Sequence, residues 1–394
     1  MPRNVSRRGF VGGLATTVGA LTMRPELAWA KAPSGAPLSY LPFGPEEDYE
    51  AMAKLANNEN PYGPPDSVMK ALNHAMKYAN RYGYPDGGIV AAIAKHHGVK
   101  PENVMIAAGS GEILDVVANT FLPPGKRMVS SDPSYDNVFS HVLAIKADTI
   151  KVPLLADYRQ DTPAVIATTK RHARDVGFVY VCSPNNPTGR IVTKREIKQL
   201  VNEIPEDIPI LVDEAYFHFV EDSDYETAVP YVLEGRNVIV ARTFSKIAAL
   251  AGMRLGYAIA TRDNIQQMRR YSTGTINAIV KWAGVAALAD TASQAQVKKV
   301  TLDLRKKTTS ELKSLGYDVI PSEANFFMVH LRRPVMPVIE EFRKQKVLVG
   351  RPFPPLVEHL RVSVGTTDEM DRFLTSFKAI MSSPVAKAAS SGNG

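Results

Sequence analysis

Cysteine is almost missing from this sequence of 394 residues, which contains only Cys182. One thiol excludes an intramolecular disulfide framework and any metal cluster that needs several cysteines. Long runs of lysine and arginine are also missing, so the formal net charge of +7 gives no case for nucleic acid binding. With 45% hydrophobic and 22% charged residues, the composition argues against collagen, a coiled coil, a disordered chain and a polytopic membrane protein.

The first 30 residues carry the features of an export signal. A pair of arginines stands in Ser6-Arg7-Arg8-Gly9-Phe10-Val11, and the uncharged stretch from Val11 to Met23 is too short for a stable membrane-spanning helix. Ala28-Trp29-Ala30 then supplies the small residues of a cleavage site. The segment resembles bacterial twin-arginine (Tat) signals. We therefore expect export of a folded protein to the periplasm by the Tat translocase, cleavage near Ala30 and no stable membrane anchor.

Short apolar runs alternate with helical patterns over residues 66–284, which predicts a large α/β domain with a doubly wound, mostly parallel sheet. The predicted strands are Val104–Ala108, Arg127–Ser130, Thr149–Val152, Phe178–Cys182, Ile210–Val212, Val238–Arg242 and Leu255–Ala260. A long polar helix over Ser293–Leu315 and shorter strands predict a smaller α+β domain over residues 285–382. We expect residues 31–65 to form an arm that joins the small domain, and residues 383–394 to form a disordered tail.

Two segments carry the residue types that bind a phosphate monoester. In Thr243-Phe244-Ser245-Lys246, two hydroxyl residues precede a lysine, and Arg254 follows eight positions later. Gly109-Ser110-Gly111-Glu112 lies where a predicted strand meets a predicted helix, whose N-terminal N–H groups can bind phosphate. Lys246 beside such a site can form an imine with an aldehyde on the ligand. A solvated lysine and a simple tight turn are the alternatives, and a dinucleotide site would need a completed G-x-G-x-x-G motif.

Two further segments place polar side chains after predicted strands. Ile210-Leu211-Val212-Asp213-Glu214-Ala215-Tyr216 is an apolar strand that ends in a carboxylate, at the edge where open α/β sheets bind ligands. A buried carboxylate needs a partner, such as a protonated ring nitrogen, although a helix N-cap is the alternative interpretation. Ser183-Pro184-Asn185-Asn186-Pro187-Thr188-Gly189 is a turn that can hold an asparagine side chain beside a ligand.

Together these segments resemble the fold-type-I pyridoxal-phosphate (PLP) enzymes of the class I and II aminotransferase superfamily. The residues whose order and spacing follow that family are Asn186, Asp213, Tyr216, Ser245, Lys246 and Arg254. The segments similar to its histidinol-phosphate aminotransferase branch are Asn58-Glu59-Asn60-Pro61-Tyr62-Gly63, Tyr82-Gly83-Tyr84-Pro85-Asp86 and Leu360-Arg361-Val362-Ser363-Val364-Gly365-Thr366. The resemblance runs from about Leu55 to Phe377 and implies the PLP-dependent transferase fold of type I.

The resemblance implies pyridoxal 5′-phosphate as the cofactor of a homodimer with shared active sites. Lys246 would bind the cofactor covalently and act as a base, and Asp213 would pair with its ring nitrogen. Tyr216 and Asn186 would hydrogen-bond its phenolic oxygen, and Tyr135 would stack on the ring. The residues implied to bind its phosphate are Ser110, Gly111, Thr243, Ser245 and Arg254, with Tyr84 from the other subunit and Tyr82 as the rival of Tyr84.

For the substrate, the resemblance implies that Arg361 binds the α-carboxylate through two parallel hydrogen bonds and that Tyr62 closes over the substrate. Asn186 is also implied to bind the substrate. In the family branch, an arginine near the position of Arg351 binds the phosphate of the substrate. Here Arg351 is followed by Pro352-Phe353-Pro354-Pro355, where a glycine-rich stretch is more usual, so its role stays open.

The leading hypothesis is a periplasmic aminotransferase that moves an amino group between an α-amino acid, or a metabolite that carries one, and a 2-oxo acid. Histidinol-phosphate aminotransferase proper is an alternative, but histidine biosynthesis is cytoplasmic and the export signal argues against it. A PLP-dependent decarboxylase or lyase shares the same cofactor residues. A non-catalytic binding protein would be expected to lose Lys246, Asp213 or Arg254, and all are present. A dinucleotide dehydrogenase would need the G-x-G-x-x-G motif, which this sequence does not complete.

Overall fold

The structure is a computed structural model that describes residues 46–383. The predicted Tat signal of residues 1–30 lies outside the described residues, as do residues 31–45 of the predicted arm and residues 384–394 of the predicted tail. In the described part of the chain, no helix is both long enough and apolar enough to cross a membrane.

A large sheet of mostly parallel strands is central to the fold. Within residues 46–383 the strands are β1 (Ala53–Leu55), β2 (Val104–Ala107), β3 (Arg127–Asp132), β4 (Asp148–Pro153), β5 (Val176–Cys182), β6 (Ile210–Asp213), β7 (Val238–Thr243), β8 (Gly256–Ala260), β9 (Asp318–Ile320), β10 (Phe326–His330), β11 (Val347–Val349) and β12 (His359–Ser363). The large sheet has the order β2-β8-β7-β6-β5-β3-β4. Strands β3 to β7 are parallel, and β8 is antiparallel to its neighbours β7 and β2. The predicted fold class is confirmed, and each strand predicted for this sheet is present.

Both faces of this sheet are covered, which explains why its central strands are apolar throughout. Every residue of β5 is buried. Val181 packs into the core on one face, whereas Phe178 and Tyr180 pack into the core on the other face. Because successive strand residues point to opposite faces, a strand that is covered on both sides needs apolar side chains at every position.

Helices cover the sheet, and several begin at a capping residue. Within residues 46–383 the helices are α1 (Glu46–Glu50), α2 (Asp66–Ala75), α3 (Ile89–His97), α4 (Ser110–Phe121), α5 (Asp136–Ala144), α6 (Thr162–Arg171), α7 (Lys194–Glu203), α8 (Val229–Leu233), α9 (Arg262–Met268), α10 (Ala278–Ala289), α11 (Thr291–Ser314), α12 (Val335–Lys344) and α13 (Thr367–Ser382). Thr193 and Glu196 form the predicted capping box before α7, and each side chain accepts a hydrogen bond from the backbone of the other. α11 begins before the predicted Ser293 because Asp290 caps it through the backbone N–H of Ser293.

Two smaller sheets lie outside the large one in the described chain. β12, β10 and β9 form an antiparallel sheet, and β1 pairs in parallel with β11. A separate core, which includes Phe342, Phe373 and Phe377, packs against these strands. β1 was not predicted, because a run of three residues is too short to show a strand periodicity.

The strands that carry the predicted site residues end at one edge of the large sheet. β5, β6 and β7 are parallel and end at Cys182, Asp213 and Thr243. In open α/β sheets, ligands bind in the crevice outside these carboxyl ends. β2 points the same way because β2 and β7 are both antiparallel to β8, so the Gly109 segment that follows β2 reaches the same edge.

Candidate active site

Hydroxyl and guanidinium groups from two loops converge at this edge. Arg254 Nη1 lies 3.4 Å from Ser245 Oγ, and Arg254 Nη2 donates to the Ala108 carbonyl at 3.2 Å. The Thr243 and Ser245 hydroxyls form a hydrogen bond of 2.8 Å. Arg254 therefore links the loop after β7 to the segment in which α4 begins.

The first turn of α4 completes this cluster. Ser110 and Gly111 are its first residues, and N–H groups in the first turn of a helix have no partner within the helix. A Cβ on Gly109 would collide with the Arg254 guanidinium, and the φ of +86° at Gly109 is one that other residues rarely adopt. Gly109 thus allows a cation to lie directly against a helix N-terminus, and this combination of donors fits a phosphate monoester.

Lys246 lies in the loop after β7. Its Nζ donates to the Asn57 carbonyl at 3.1 Å and lies 5.6 Å from the ring centroid of Tyr216. Burial lowers the pKa of Lys246 to about 8, and the charges of Arg361 and Arg254 act in the same direction. Near pH 8 this amine is therefore present in both protonation states, as a nucleophile that also transfers protons requires.

Asp213, the last residue of β6, is only 2% exposed. The Tyr180 hydroxyl donates to Asp213 Oδ2 at 3.1 Å, and the backbone N–H of Ala215 donates to Oδ1 at 3.1 Å. Burial raises the pKa of Asp213 to about 6, although both hydrogen bonds act to lower it. A buried carboxylate in this condition is stabilised by a cation such as a protonated ring nitrogen.

Tyr216 is held by a residue from the N-terminal part of the chain. Its hydroxyl accepts a hydrogen bond from Asn58 Nδ2 at 3.0 Å, and burial raises the pKa of this phenol. Asn58 is fixed in turn by Ser363, which bonds both its backbone N–H and its Oδ1 at 2.8 Å. Asn58 was not predicted as a site residue, although its place in the Asn58–Gly63 segment was a usable signal.

Arg361 and Asn186, both predicted to bind the substrate, are in contact. Arg361 is 6% exposed, and its Nη1 donates to Asn186 Oδ1 at 2.7 Å. Its Nη2 donates to the Ala56 carbonyl, and its Nε is buried with no hydrogen-bond partner among the described residues. Burial lowers the pKa of Arg361 to about 10. A buried guanidinium that still has an unpaired N–H fits an anionic group on a ligand.

Arg351 differs from Arg361 in having a carboxylate partner. It forms an ion pair with Asp136, the first residue of α5. Its Nη1 also donates to the Pro352 carbonyl at 2.7 Å. The guanidinium carbons of Arg351 and Arg361 lie 4.2 and 4.4 Å from the ring centroid of Phe353, so both arginines contact one aromatic side chain. Neither Asp136 nor Phe353 was predicted as a site residue.

Tyr135 is partly buried, whereas Tyr62 is exposed. The Tyr135 hydroxyl accepts a hydrogen bond from Asn137 Nδ2 at 2.8 Å, and Tyr135 is close enough to act on the pKa of Arg361. Tyr62 is 45% exposed and lines a cavity of about 520 Å³ beside Ile247, which follows Lys246. Tyr62 therefore lies at the solvent side of the loop that carries Lys246.

Tyr84 is not joined to the phosphate-type cluster within its own described chain. Its hydroxyl donates to the Ile276 carbonyl at 3.0 Å, and its ring stacks on Tyr78 with centroids 6.5 Å apart. Tyr82, its rival for the same role, is fully exposed. The predicted role is a contact with the cofactor phosphate of the other subunit. The contacts within a single subunit therefore do not distinguish Tyr84 from Tyr82.

A buried ion pair supports the loop between Asp213 and Tyr216. Glu214 and Arg242 are 1% and 3% exposed, and Arg242 Nη2 lies 2.7 Å from Glu214 Oε2. Thr227 and the backbone N–H of Ala228 also donate to Glu214. Glu214 lies in the segment that carries Asp213 and Tyr216, but the pair was not predicted because Arg242 lies 28 positions away, on β7.

These groups together fit pyridoxal 5′-phosphate. The Arg254 cluster offers a cation, hydroxyls and helix N–H groups for a phosphate. Lys246 offers an amine for an aldehyde, and Asp213 offers a buried carboxylate for a protonated ring nitrogen. Tyr216 offers a phenol near the Lys246 amine.

Comparison with known proteins agrees with this donor set. Residues 50–377 match the family described as aminotransferase class I and II. Histidinol-phosphate aminotransferase from Moorella thermoacetica is 34% identical over 355 residues, which cover 87% of this chain and 90% of the relative. The enzyme of that name from Oleidesulfovibrio alaskensis is 32% identical, with 94% of this chain and 97% of the relative covered. The crystal structure of the Sinorhizobium meliloti histidinol-phosphate aminotransferase in complex with pyridoxal-5′-phosphate has a TM-score of 0.79 at 26% identity, with 87% and 96% of the two chains covered.

Proposed function

Because the chain belongs to the aminotransferase class I and II family, we propose that Arg361 binds the carboxylate of its amino donor. The protein is a PLP-dependent aminotransferase that moves an amino group between an α-amino acid, or a metabolite that carries one, and a 2-oxo acid. The observation that carries the proposal is the state of Arg361, which is buried, oriented by Asn186, and has an Nε without a partner in the described chain. A carboxylate offers two oxygens that match the parallel N–H groups of a guanidinium.

The bound cofactor supplies an aldehyde and an electron-withdrawing ring that stabilises negative charge at the substrate Cα. Asp213 would hold a proton on the ring nitrogen through its buried carboxylate. Lys246 Nζ would take a proton from the Cα of the amino donor and later deliver one to the Cα of the product formed from the 2-oxo acid, and a pKa of about 8 suits an amine that must do both.

The remaining site residues bind and orient. Arg254 and the hydroxyls of Thr243 and Ser245 bind the cofactor phosphate, together with the N-terminus of α4. The Tyr216 hydroxyl is oriented by Asn58 and would donate to the phenolic oxygen of the cofactor. These residues would together hold the cofactor beside Lys246.

Transamination of histidinol phosphate is the second candidate for the natural reaction. The observation in its favour is that relatives named for it match nearly the whole chain at 34% and 32% identity. Its donor carries a phosphate monoester where an α-amino acid carries a carboxylate. The two candidates therefore differ in the anion that Arg361 must bind.

We propose that the protein is exported by the Tat pathway and works in the periplasm. The support is the sequence of residues 1–30, with Arg7-Arg8 and the Ala28-Trp29-Ala30 cleavage pattern. The presence of one cysteine fits a protein that finishes folding in the reducing cytoplasm. This location favours an exported amino-acid-like metabolite over histidinol phosphate as the donor.

We also propose a homodimer in which each subunit completes the site of the other. Large apolar side chains are exposed around the Tyr84 segment, including Tyr82 and Met76. Exposed apolar groups of this size favour a protein interface. A fully active monomer in solution would contradict this proposal.

A donor panel tests the function. The purified holoenzyme is offered L-amino acids and L-histidinol phosphate with 2-oxoglutarate, and both keto product and CO2 are measured. We expect keto products from at least one α-amino acid. Selective turnover of L-histidinol phosphate would favour the second candidate, and CO2 release without amino transfer would replace both with a decarboxylase.

A further inference from the structure

Asp136 holds Arg351 in a fixed position beside the substrate site. Asp136 is the first residue of α5, where the helix dipole stabilises a negative charge. Its carboxylate pairs with Arg351 Nη2, and Arg351 Nη1 is used by the Pro352 carbonyl. The Arg351 guanidinium also stacks on Phe353. Both terminal nitrogens of Arg351 therefore have partners within the protein.

Arg351 and Arg361 belong to the same site. Their guanidinium carbons lie 4.2 and 4.4 Å from one ring centroid, that of Phe353. The charge of Arg351 lowers the pKa of Arg361 and the charge of Asp136 raises it, so both residues interact electrostatically with Arg361. The charges of Arg351 and Asp136 therefore cancel, whereas the Arg361 guanidinium has no carboxylate partner in the described chain.

This inference rests on the proposed function and specifies the substrate class. We propose that Asp136 is a specificity-determining residue that neutralises Arg351, so that the site accepts a carboxylate and rejects a phosphate monoester as the anion bound at Arg361. A carboxylate carries one negative charge and is satisfied by one guanidinium. A phosphate monoester carries nearly two charges near neutral pH and needs a second cation. Here the second cation is already paired, and the Asp136 carboxylate would repel the dianion.

The test measures anion binding rather than turnover. The holoenzyme, with cofactor bound, is titrated by calorimetry at pH 8 with inorganic phosphate and separately with acetate. We expect the wild-type protein to bind phosphate no more tightly than acetate. Asp136→Asn should raise the affinity for phosphate by about tenfold or more, because Arg351 is released and a nearby like charge is removed. Affinity for acetate should change much less.

Two further variants make this result specific. Asp136→Asn combined with Arg351→Gln should return the ratio of phosphate to acetate affinity to the wild-type value, since the gain depends on the released arginine. Asp368→Asn is the matched control, because Asp368 is an exposed acid in the first turn of α13 and has no place in the site. It should leave both affinities unchanged.

The proposal is overturned if the wild-type holoenzyme already binds phosphate at least about tenfold more tightly than acetate. This measurement uses only the wild-type protein, so it does not depend on whether a variant folds. It is also overturned if Asp136→Asn retains its cofactor absorbance and shows no gain for phosphate. Failure of the proposed function would appear instead in the donor panel, as the absence of keto product from every α-amino acid. The two failures are therefore distinguishable.

Discussion

Tyr180 and Asp213 lie on the adjacent parallel strands β5 and β6, and the Tyr180 hydroxyl donates to Asp213 Oδ2 at 3.1 Å. This bond and the one from Ala215 N–H fix the carboxylate at the end of its strand but do not offset its burial, since the pKa of Asp213 is raised to about 6. The site therefore holds a carboxylate that the protein alone leaves under-stabilised. A bound cation at this point would relieve the deficit.

Asp213→Asn should stabilise the apoenzyme at pH 8. The pKa of Asp213 rises from 3.8 to about 6 on folding, so the folded state binds more protons than the unfolded state between those values. Stability from this group is therefore highest at low pH and falls as the pH rises through 6. At pH 8 the charged group costs roughly 3 kcal/mol in the free energy of unfolding, and asparagine removes that cost.

Urea unfolding of cofactor-free wild type and variant at pH 5 and pH 8 checks this prediction. The gain in stability should be larger at pH 8, and the variant should lose transamination because it no longer holds a proton on the ring nitrogen. The idea fails if the two proteins show the same pH dependence of unfolding, or if Asp213→Asn turns over normally.

Lys246→Ala should abolish transamination while the protein still binds pyridoxal phosphate. The variant loses the amine that bonds the cofactor and moves the proton, but it keeps Asp213 and the Arg254 cluster. The phosphate contacts are charge-assisted and several in number, so non-covalent binding should persist. Cofactor content after gel filtration and a single-turnover assay measure the two effects separately. Turnover near the wild-type rate would remove Lys246 from the mechanism.

Candidate catalytic residues could be proposed from sequence because they lie in short contiguous segments. Lys246 and Asp213 were both found in this way, and the structure places them at the same edge of one sheet. Tyr180 could not be found, because a strand buried on both faces shows no alternation that marks one side chain as special. Asp136 and Arg351 are separated by 215 positions, and only the fold shows that they form a pair.

The small sheets also show that pairing between distant segments could not be predicted from the sequence. The seven strands of the large sheet were predicted because each has an apolar run bounded by turn residues. β1 has three residues, and its place beside β11 is set by tertiary pairing rather than by its own pattern. Local signals thus identify elements, whereas contacts between distant segments have to be seen in three dimensions.

Gly109→Ala should weaken cofactor binding by more than about tenfold. A Cβ there would collide with Arg254 and displace the guanidinium from the N-terminus of α4. Gly125→Ala is the matched control, since Gly125 has a similar φ of +89° but open space around a Cβ. Both variants should lose stability through backbone strain, but only Gly109→Ala should lose affinity. Fluorescence titration of each apoenzyme with pyridoxal phosphate compares them, and equal affinities would contradict the steric argument.

Glu214→Gln should lower the free energy of unfolding by about 3–5 kcal/mol, because it leaves Arg242 buried without its carboxylate partner. The comparison variant is Asp175→Asn, which breaks an ion pair with Arg127 that is 55% and 30% exposed at its two side chains. Exposed pairs contribute at most about 1 kcal/mol, so this change should be small. Chemical denaturation of both variants measures the difference. Similar losses of unfolding free energy in the two variants would show that burial does not make the Glu214–Arg242 pair more stabilising than the exposed pair.

Replacing both Arg7 and Arg8 by lysine should leave an active enzyme in the cytoplasm. The proposed site draws on β2, β6, β7 and β12, so it forms only after most of the chain has folded, and the cofactor should be loaded before export. A route that threads unfolded chains would remove the cofactor, whereas Tat export accepts a folded protein. Lysine keeps the positive charge, so a loss of export would reflect recognition of the guanidinium groups and not net charge.

Cell fractionation with an activity assay decides between the outcomes. Wild-type activity should appear in the periplasm, and the double-lysine variant should show equal specific activity in the cytoplasm. Equal activity is expected because Arg7 and Arg8 precede the described fold, whose site residues begin after residue 55. Normal periplasmic levels of the variant would rule out the Tat signal and the location built on it. The aminotransferase activity would be untouched by that result, because it depends on Lys246, Asp213 and Arg254.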